Sequence, residues 1–168
     1  MNSINKTVQF LAFVDANKGI IYKIANSYCK DGEDRKDLVQ EIIIQLWKSF
    51  DNYNEQYRYS TWLYKIALNV SISFYRKDSK KKSLISPITD SILFFEDNRE
   101  FSKNEELELL QKFIQDLKEL DRAIMLLYLD ERSYKEIAET IGISETNVAT
   151  KIGRIKKVLK LKFQQINN

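Results

Sequence analysis

Histidine is absent from this 168-residue chain, and cysteine and proline occur once each, as Cys29 and Pro87. Without an imidazole there is no Ser-His-Asp or Cys-His arrangement, no His-ligated zinc and not the commonest general base. A single cysteine excludes an internal disulfide and a thiolate metal cluster. It points to an intracellular protein, with Cys29 read as a buried structural thiol. Only four glycines are present, which disfavours a Gly-rich phosphate loop and a turn-dense β-sandwich. No apolar run approaches ~20 residues, and the polar start Met1-Asn2-Ser3-Ile4-Asn5-Lys6 lacks the form of a signal peptide. A cytoplasmic protein without membrane insertion, metal or cofactor is expected. What is plentiful is apolar residues, at 43%, and charge, at 30%, with a net charge of only +3. That composition supports a packed core. The question becomes what the chain binds rather than what it converts.

The pattern along the chain predicts an all-α protein of two small helical domains joined by a flexible linker, the second a helix-turn-helix. Residues 1–77 form the first domain, residues 78–103 the linker and residues 104–168 the second domain. In the first, Leu38, Val39, Ile42, Ile43, Leu46, Trp47 and Phe50 make a helical stripe. Ser60 and Thr61 are candidate N-caps for a further helix with the stripe Leu63, Ile66, Ala67, Val70 and Phe74. Upstream, Val8, Leu11, Val14, Ile20, Ile21, Ile24 and Tyr28 predict one or two more helices, with Gly19 and Gly32 as breaks. Residues 78–103 are polar and broken, holding the proline and the Lys80-Lys81-Lys82 run. In the second domain, Leu107, Leu110, Phe113, Ile114 and Leu117 mark one helix, and Asp121 is expected to cap another containing Ile124, Leu127 and Tyr128.

Residues 134–156 carry the sharpest signal. Ser133-Tyr134-Lys135-Glu136 reads as a capping box opening a short helix. Ala138 is the small residue at a helix contact, Gly142 a left-handed C-cap, and Ser144 the N-cap of a last helix with the stripe Val148, Ile152, Ile155, Leu159 and Phe163. Its first polar residues are those that could enter a major groove. Charge changes sign at the same place. Residues 104–145 hold five basic side chains against eleven acidic ones, whereas residues 146–168 hold six basic and no acidic ones. A basic helix on a near-neutral domain is the footprint of phosphate binding.

With Asp37-Leu38-Val39-Gln40-Glu41, Leu46-Trp47 and Thr61-Trp62-Leu63 followed by Ile66-Ala67 and Asn69, the first block resembles region 2 of bacterial RNA polymerase sigma factors. Ser133-Tyr134-Lys135-Glu136-Ile137-Ala138 and Gly142-Ile143-Ser144 resemble their region 4. Two helical domains and a short linker match the compact extracytoplasmic-function (ECF) subfamily. The chain departs from the family pattern at Lys36 and Ser73, where acids are usual, at Ala149 and Gly153, and at Asp121, where Pro is frequent.

The resemblance implies a promoter-specificity factor that is not an enzyme, with core RNA polymerase (the β′ coiled coil and the β flap) and promoter DNA as partners and an anti-sigma factor as a further partner open to it. Asp37, Gln40, Glu41 and Lys48 would meet the polymerase. Residues 51–61 read as a polar, aromatic loop suited to a single strand. By resemblance Asn52, Tyr53, Asn54, Gln56 and Tyr57 are candidates to capture a minus-ten base, with Trp62, Lys65, Asn69, Arg76 and Lys77 along the strand. Thr146, Asn147, Thr150, Lys151 and Arg154 would read the minus-thirty-five element. The linker's second half, with Asp90, Ile92, Leu93, Phe94, Phe95, Glu96, Asp97 and Glu100, would either enter the polymerase cleft or serve as a flexible tether whose apolar residues pack on a domain. A helix-turn-helix regulator that is not a polymerase subunit is the alternative, but it calls for a βα-alternating partner domain that the first block does not show. A nuclease would need clustered carboxylates, and Asp31, Glu33, Asp34 and Asp37 are interleaved with Arg35 and Lys36.

Overall fold

A computed structural model describes residues 2–53, 56–83 and 103–168. Asn54 and the acidic, apolar half of the linker lie outside the described residues. The N-terminal half is built from α1 (Ser3–Tyr28), α2 (Gly32–Ser49), a 3-10 turn (Phe50–Asn52) and α3 (Tyr59–Ser83). Gly19 does not divide α1. Its core face is Phe10, Ile21, Ile24, Ala25 and Tyr28, while Val8 and Leu11 are 61% and 60% exposed, contrary to their expected place in the stripe. At 100° per residue Val8 and Leu11 fall more than a quarter-turn from the line through Phe10, Ile21 and Tyr28. Asp31 caps α2, its carboxylate accepting from the Glu33 N–H at 3.3 Å, and Leu38, Val39, Ile42 and Leu46 are buried beneath it.

Three expected boundaries move. The third helix begins at Tyr59 rather than being capped by Ser60 or Thr61, and it continues to Ser83, into the stretch whose composition reads as linker. No Gly or Pro intervenes before Pro87, so nothing in the backbone stops it earlier. Downstream, α4 (Lys103–Gln115), α5 (Glu119–Leu129), α6 (Tyr134–Ile141) and α7 (Glu145–Ile166) form the C-terminal half. Lys118, not Asp121, is the N-cap of α5, and Asp121 lies in its first turn, where a carboxylate complements the helix dipole.

Capping signals place the last two helices as predicted. The Ser133 hydroxyl accepts from the Glu136 N–H at 3.1 Å, although the Glu136 carboxylate lies 3.8 Å from Arg132 instead of closing the box. Gly142 ends α6 at φ 83°. A Cβ there would meet nothing within 4 Å, so backbone conformation, not space, calls for glycine. The Ser144 hydroxyl accepts from the Asn147 N–H at 3.1 Å, and Val148, Ile152, Ile155 and Leu159 are buried.

The two halves pack against each other. In α3, Leu63 and Ala67 face α1 and α2 as expected, but Tyr64, Leu68 and Ser71 are buried too. They lie about a quarter-turn round the helix, on the side that α5 and α6 cover. Arg122, 2% exposed, is the centre of the joint. It donates to the Ser27 carbonyl at 2.9 Å, the Leu117 carbonyl at 2.9 Å and the Gln115 carbonyl. Its guanidinium lies 4.8 Å from the Tyr28 ring and 4.7 Å from the Tyr75 ring. A buried cation is tolerated there because carbonyl dipoles and two ring faces replace its water.

Candidate nucleic-acid interface

Three surfaces gather the sequence-predicted residues. On α2, Asp37, Gln40, Glu41 and Lys48 are all exposed along one face. Ile44, 45% exposed, lies between Glu41 and Lys48 on that face and is absent from the residues expected there. A signal for it exists in the chain: three consecutive isoleucines, Ile42-Ile43-Ile44, cannot all point inward on a helix.

The second surface is the loop between α2 and α3. Tyr53 stacks on Tyr59 with centroids 4.1 Å apart and meets Trp62 edge-on at 5.4 Å. Its hydroxyl donates to the Tyr57 carbonyl. Trp62 is half-buried against Phe13 and Phe50, so it is core on one side and open on the other. Asn52, Tyr57, Thr61, Trp62 and Lys65, with Glu139 from α6, line a cavity of about 190 Å³. Gln56 is exposed beside it. From there Trp62, Lys65, Asn69 and Arg76 follow a single stripe down α3, with Lys65, Asn69 and Arg76 exposed. Lys77, also exposed, is turned about a quarter-turn from Arg76.

The C-terminal half sets acids against this surface. Arg76 pairs with Glu119 at 2.9 Å. Its hydrogen bond is the main reason the Glu119 carboxyl is held below the usual range. Asp130 accepts from the Tyr64 hydroxyl at 2.7 Å and lies 3.6 Å from Lys23. Burial pushes the Asp130 carboxyl up, but Tyr64, Lys23 and Arg132 together bring it below its ordinary value. Tyr64 itself is pushed well above the ordinary phenol value, mainly by burial. Arg132 donates to the Ser60 hydroxyl at 2.8 Å. None of these long-range partners is visible in a one-dimensional pattern.

The third surface is α7. Thr146, Asn147, Thr150 and Arg154 are exposed on the outward side, and Lys157 and Lys160 continue it. Lys151 is different: half-buried, with its ammonium 3.6 Å from the Asp121 carboxylate. Among the described residues no group of three or more Cys, Asp or Glu side chains could hold a metal ion, and no helix is long and apolar enough to cross a membrane.

The chain is similar to known proteins over most of its length. Residues 13–81 match the family model described as Sigma-70 region 2, and residues 107–159 match the one described as Sigma-70, region 4. The chain is 25% identical to the ECF RNA polymerase sigma factor SigW of Bacillus subtilis (strain 168), over 94% of this chain and 90% of that protein. It is 30% identical to the RNA polymerase sigma factor SigZ of the same organism, over 74% and 72%. It is 27% identical to the ECF RNA polymerase sigma-E factor of Escherichia coli (strain K12), over 87% and 82%. Two solved structures share the fold. CnrH in complex with the cytosolic domain of CnrY superposes with a TM-score of 0.66 at 21% identity, over 93% of this chain and 88% of that one. The sigma factor RpoE of Bartonella quintana, in complex with the anti-sigma factor NepR, gives 0.68 at 18%, over 93% and 97%. A three-helix unit that matches region 2 is followed by a helix-turn-helix that matches region 4, which does not favour a regulator of another kind: the chain belongs to the ECF branch of the sigma-70 family of RNA polymerase sigma factors.

Proposed function

We propose that this initiation factor, whose partners are core RNA polymerase and promoter DNA, divides its work between the two halves without catalysing a reaction of its own. Residues 1–77 serve the polymerase and the minus-ten element, and residues 104–168 the minus-thirty-five element. Asp37, Gln40, Glu41, Ile44 and Lys48 dock on the β′ coiled coil, and the C-terminal half meets the β flap. A minus-ten base enters beside Asn52, Tyr53, Gln56, Tyr57 and Trp62, with Lys65, Asn69, Arg76 and Lys77 along the strand. Aromatic rings next to amides suit an unstacked base, because every base has a face to stack and an edge to read. Thr146, Asn147, Thr150, Lys151 and Arg154 read the upstream element. The protein works in the cytoplasm, where polymerase and promoter are, and the structural neighbour complexed with an anti-sigma factor supports such a factor as a further partner.

The carrying observation is the two-sidedness of α7. Its apolar side is buried by Val148, Ile152, Ile155 and Leu159, and its opposite side presents hydroxyl, amide and cationic groups. That is the arrangement a groove-reading helix needs. Reconstituted transcription with core polymerase on fragments of its own genome tests the function. Promoter-dependent initiation that requires the protein is expected. Absence of stimulation on every fragment would refute it. Within an active system, Asn147→Ala is expected to relax preference at one upstream position, whereas Lys157→Ala weakens all sequences alike and lowers the salt slope by about one.

A further inference from the structure

Five of the six basic residues of α7 fall into two groups that composition does not distinguish, and the sixth, Lys156, lies over the Tyr128 ring, 4.6 Å from its centroid. Arg154, Lys157 and Lys160 are exposed and carry no ion pair among the described residues. Lys151 and Lys162 are each held by an acid from elsewhere in the C-terminal half, Lys151 by Asp121 at 3.6 Å and Lys162 by Asp116 at 3.8 Å. Both paired lysines lie on the same shoulder of the helix. At about 100° per residue, Lys151 is roughly 60° round from buried Val148, whereas Asn147 is about 100° and Thr150 about 160° away. Lys151 therefore stands at the edge of the reading face, within reach of the groove, yet its ammonium is turned back toward the first turn of α5. The pair is neither buried nor fully open, with side chains 34% and 29% exposed.

Resting on the reading of α7 as the upstream recognition helix, we propose that Asp121 is a specificity-determining positioning residue that makes the engagement of Lys151 conditional on the base it meets. A bare lysine approaching DNA gains from any phosphate by releasing counterions, whatever the sequence. A lysine already neutralised by a carboxylate gains little from that exchange, because one anion replaces another. A guanine edge offers two acceptors, O6 and N7, side by side in the groove that the reading face of α7 would enter, and can draw the ammonium off the carboxylate. Asp121 thus subtracts from binding to all sequences and is compensated only on the right one. Lys157 and Lys160, which have no such partner and lie further along the helix, supply the sequence-independent attraction. The pair is also of a suitable strength. A half-exposed ion pair shifts an equilibrium by no more than about fivefold, enough to bias a choice and too little to trap the lysine.

The experiment uses holoenzyme reconstituted with core polymerase. The two probes are a promoter fragment of the protein's own genome on which the wild type initiates and the same fragment with its upstream element scrambled. Each is titrated over a range of salt concentrations. Asp121→Asn is expected to tighten binding to the scrambled fragment about two- to fivefold, with the salt slope there steeper by about one, and to tighten binding to the promoter less, so that discrimination falls. In the Lys151→Gln background the effect of Asp121→Asn disappears. An Asp121→Asn variant that leaves both fragments unchanged, strengthens both equally, or acts undiminished without Lys151 overturns the proposal. So does a Lys151→Gln variant with full discrimination. Asn147→Ala reports separately on α7 itself: if discrimination survives that change as well, the recognition-helix reading fails, whereas its loss there alongside an inert Asp121 refutes only the tether. Matched melting temperatures of the half-exposed variants show that folding is not the cause.

Discussion

On α7 the exposed side proposed to meet DNA is prepared by the helix's own residues. Ser144 caps it, Val148 and Ile152 anchor it, and Thr146, Asn147 and Arg154 point outward wherever the anchors point inward. The loop before α3 is prepared by distant ones. Tyr53 is held by Tyr59 and Trp62, Trp62 by Phe13 and Phe50, and Glu139 of α6 lines the cavity beside them. In the docked arrangement the α7 face is open, whereas the stripe below the loop is engaged: Arg76 is paired with Glu119. A surface set by local sequence survives rearrangement of the halves, but one set by tertiary contacts changes with it. On the proposed reading, a DNA strand reaches Arg76 fully only if Glu119 gives way.

The contrast can be broken first at Arg122. Arg122→Ala removes the cation between Tyr28 and Tyr75 and leaves buried carbonyls without a donor, at a cost of about 3 kcal/mol or more. A lower melting temperature with an expanded particle in solution scattering is expected. An unchanged scattering profile would mean that the halves do not depend on this residue. Next in size is the proposed polymerase face of α2. Reversing Asp37 and Glu41 together to Lys should reduce core-polymerase affinity on the order of tenfold or more without moving the melting temperature, because both side chains are exposed. A titration with labelled core enzyme measures it, and unchanged affinity would place the docking surface elsewhere.

A smaller effect sharpens the local half of the comparison. Ser144→Ala deletes the acceptor for the Asn147 N–H and should cost about 1 kcal/mol. It should loosen the first turn of α7 in hydrogen exchange while leaving the aromatic loop protected. The smallest effect is pH-dependent. Glu119 and Asp130 titrate below their ordinary values of 4.5 and 3.8. Their contribution to docking is therefore complete above those values and is lost as pH falls through the depressed ones. Scattering from neutral pH downward should show the halves separating only on the acid side of that range, with Glu119→Gln abolishing part of the dependence. Separation on raising the pH would contradict the assignment.

The last two helices are legible in detail from the chain, because each signal acts within one turn: Ser133 and Ser144 on N–H groups three residues ahead, Gly142 on its own φ, and the Val148/Ile152/Ile155 spacing on one helix. Region 2 is recognisable by its motifs, but its inner arrangement is less so. The spacing of Val8 and Leu11 suggests a core that they do not join, since α1 is apolar on more than one side and its covered side depends on where α2 and α3 lie. Asp121 has the residue type of a cap, whereas its partner in the fold is Lys151, arriving from a helix thirty positions on.

The local period and capping chemistry of the sequence determined that the protein is helical, that it ends in a helix-turn-helix and which family it joins, since those features act over a few residues and repeat along the chain. Tertiary structure alone decided which side of α3 carries Tyr64 and Leu68 into a second interface. It also decided that Arg122 is the cation buried there, and that the acids of the C-terminal half sit on the cations of the first. Those choices follow from the relative placement of helices, where a hydrogen bond or ion pair forms between residues separated by up to 95 positions. A pattern read one helix at a time has no term for the distance between them.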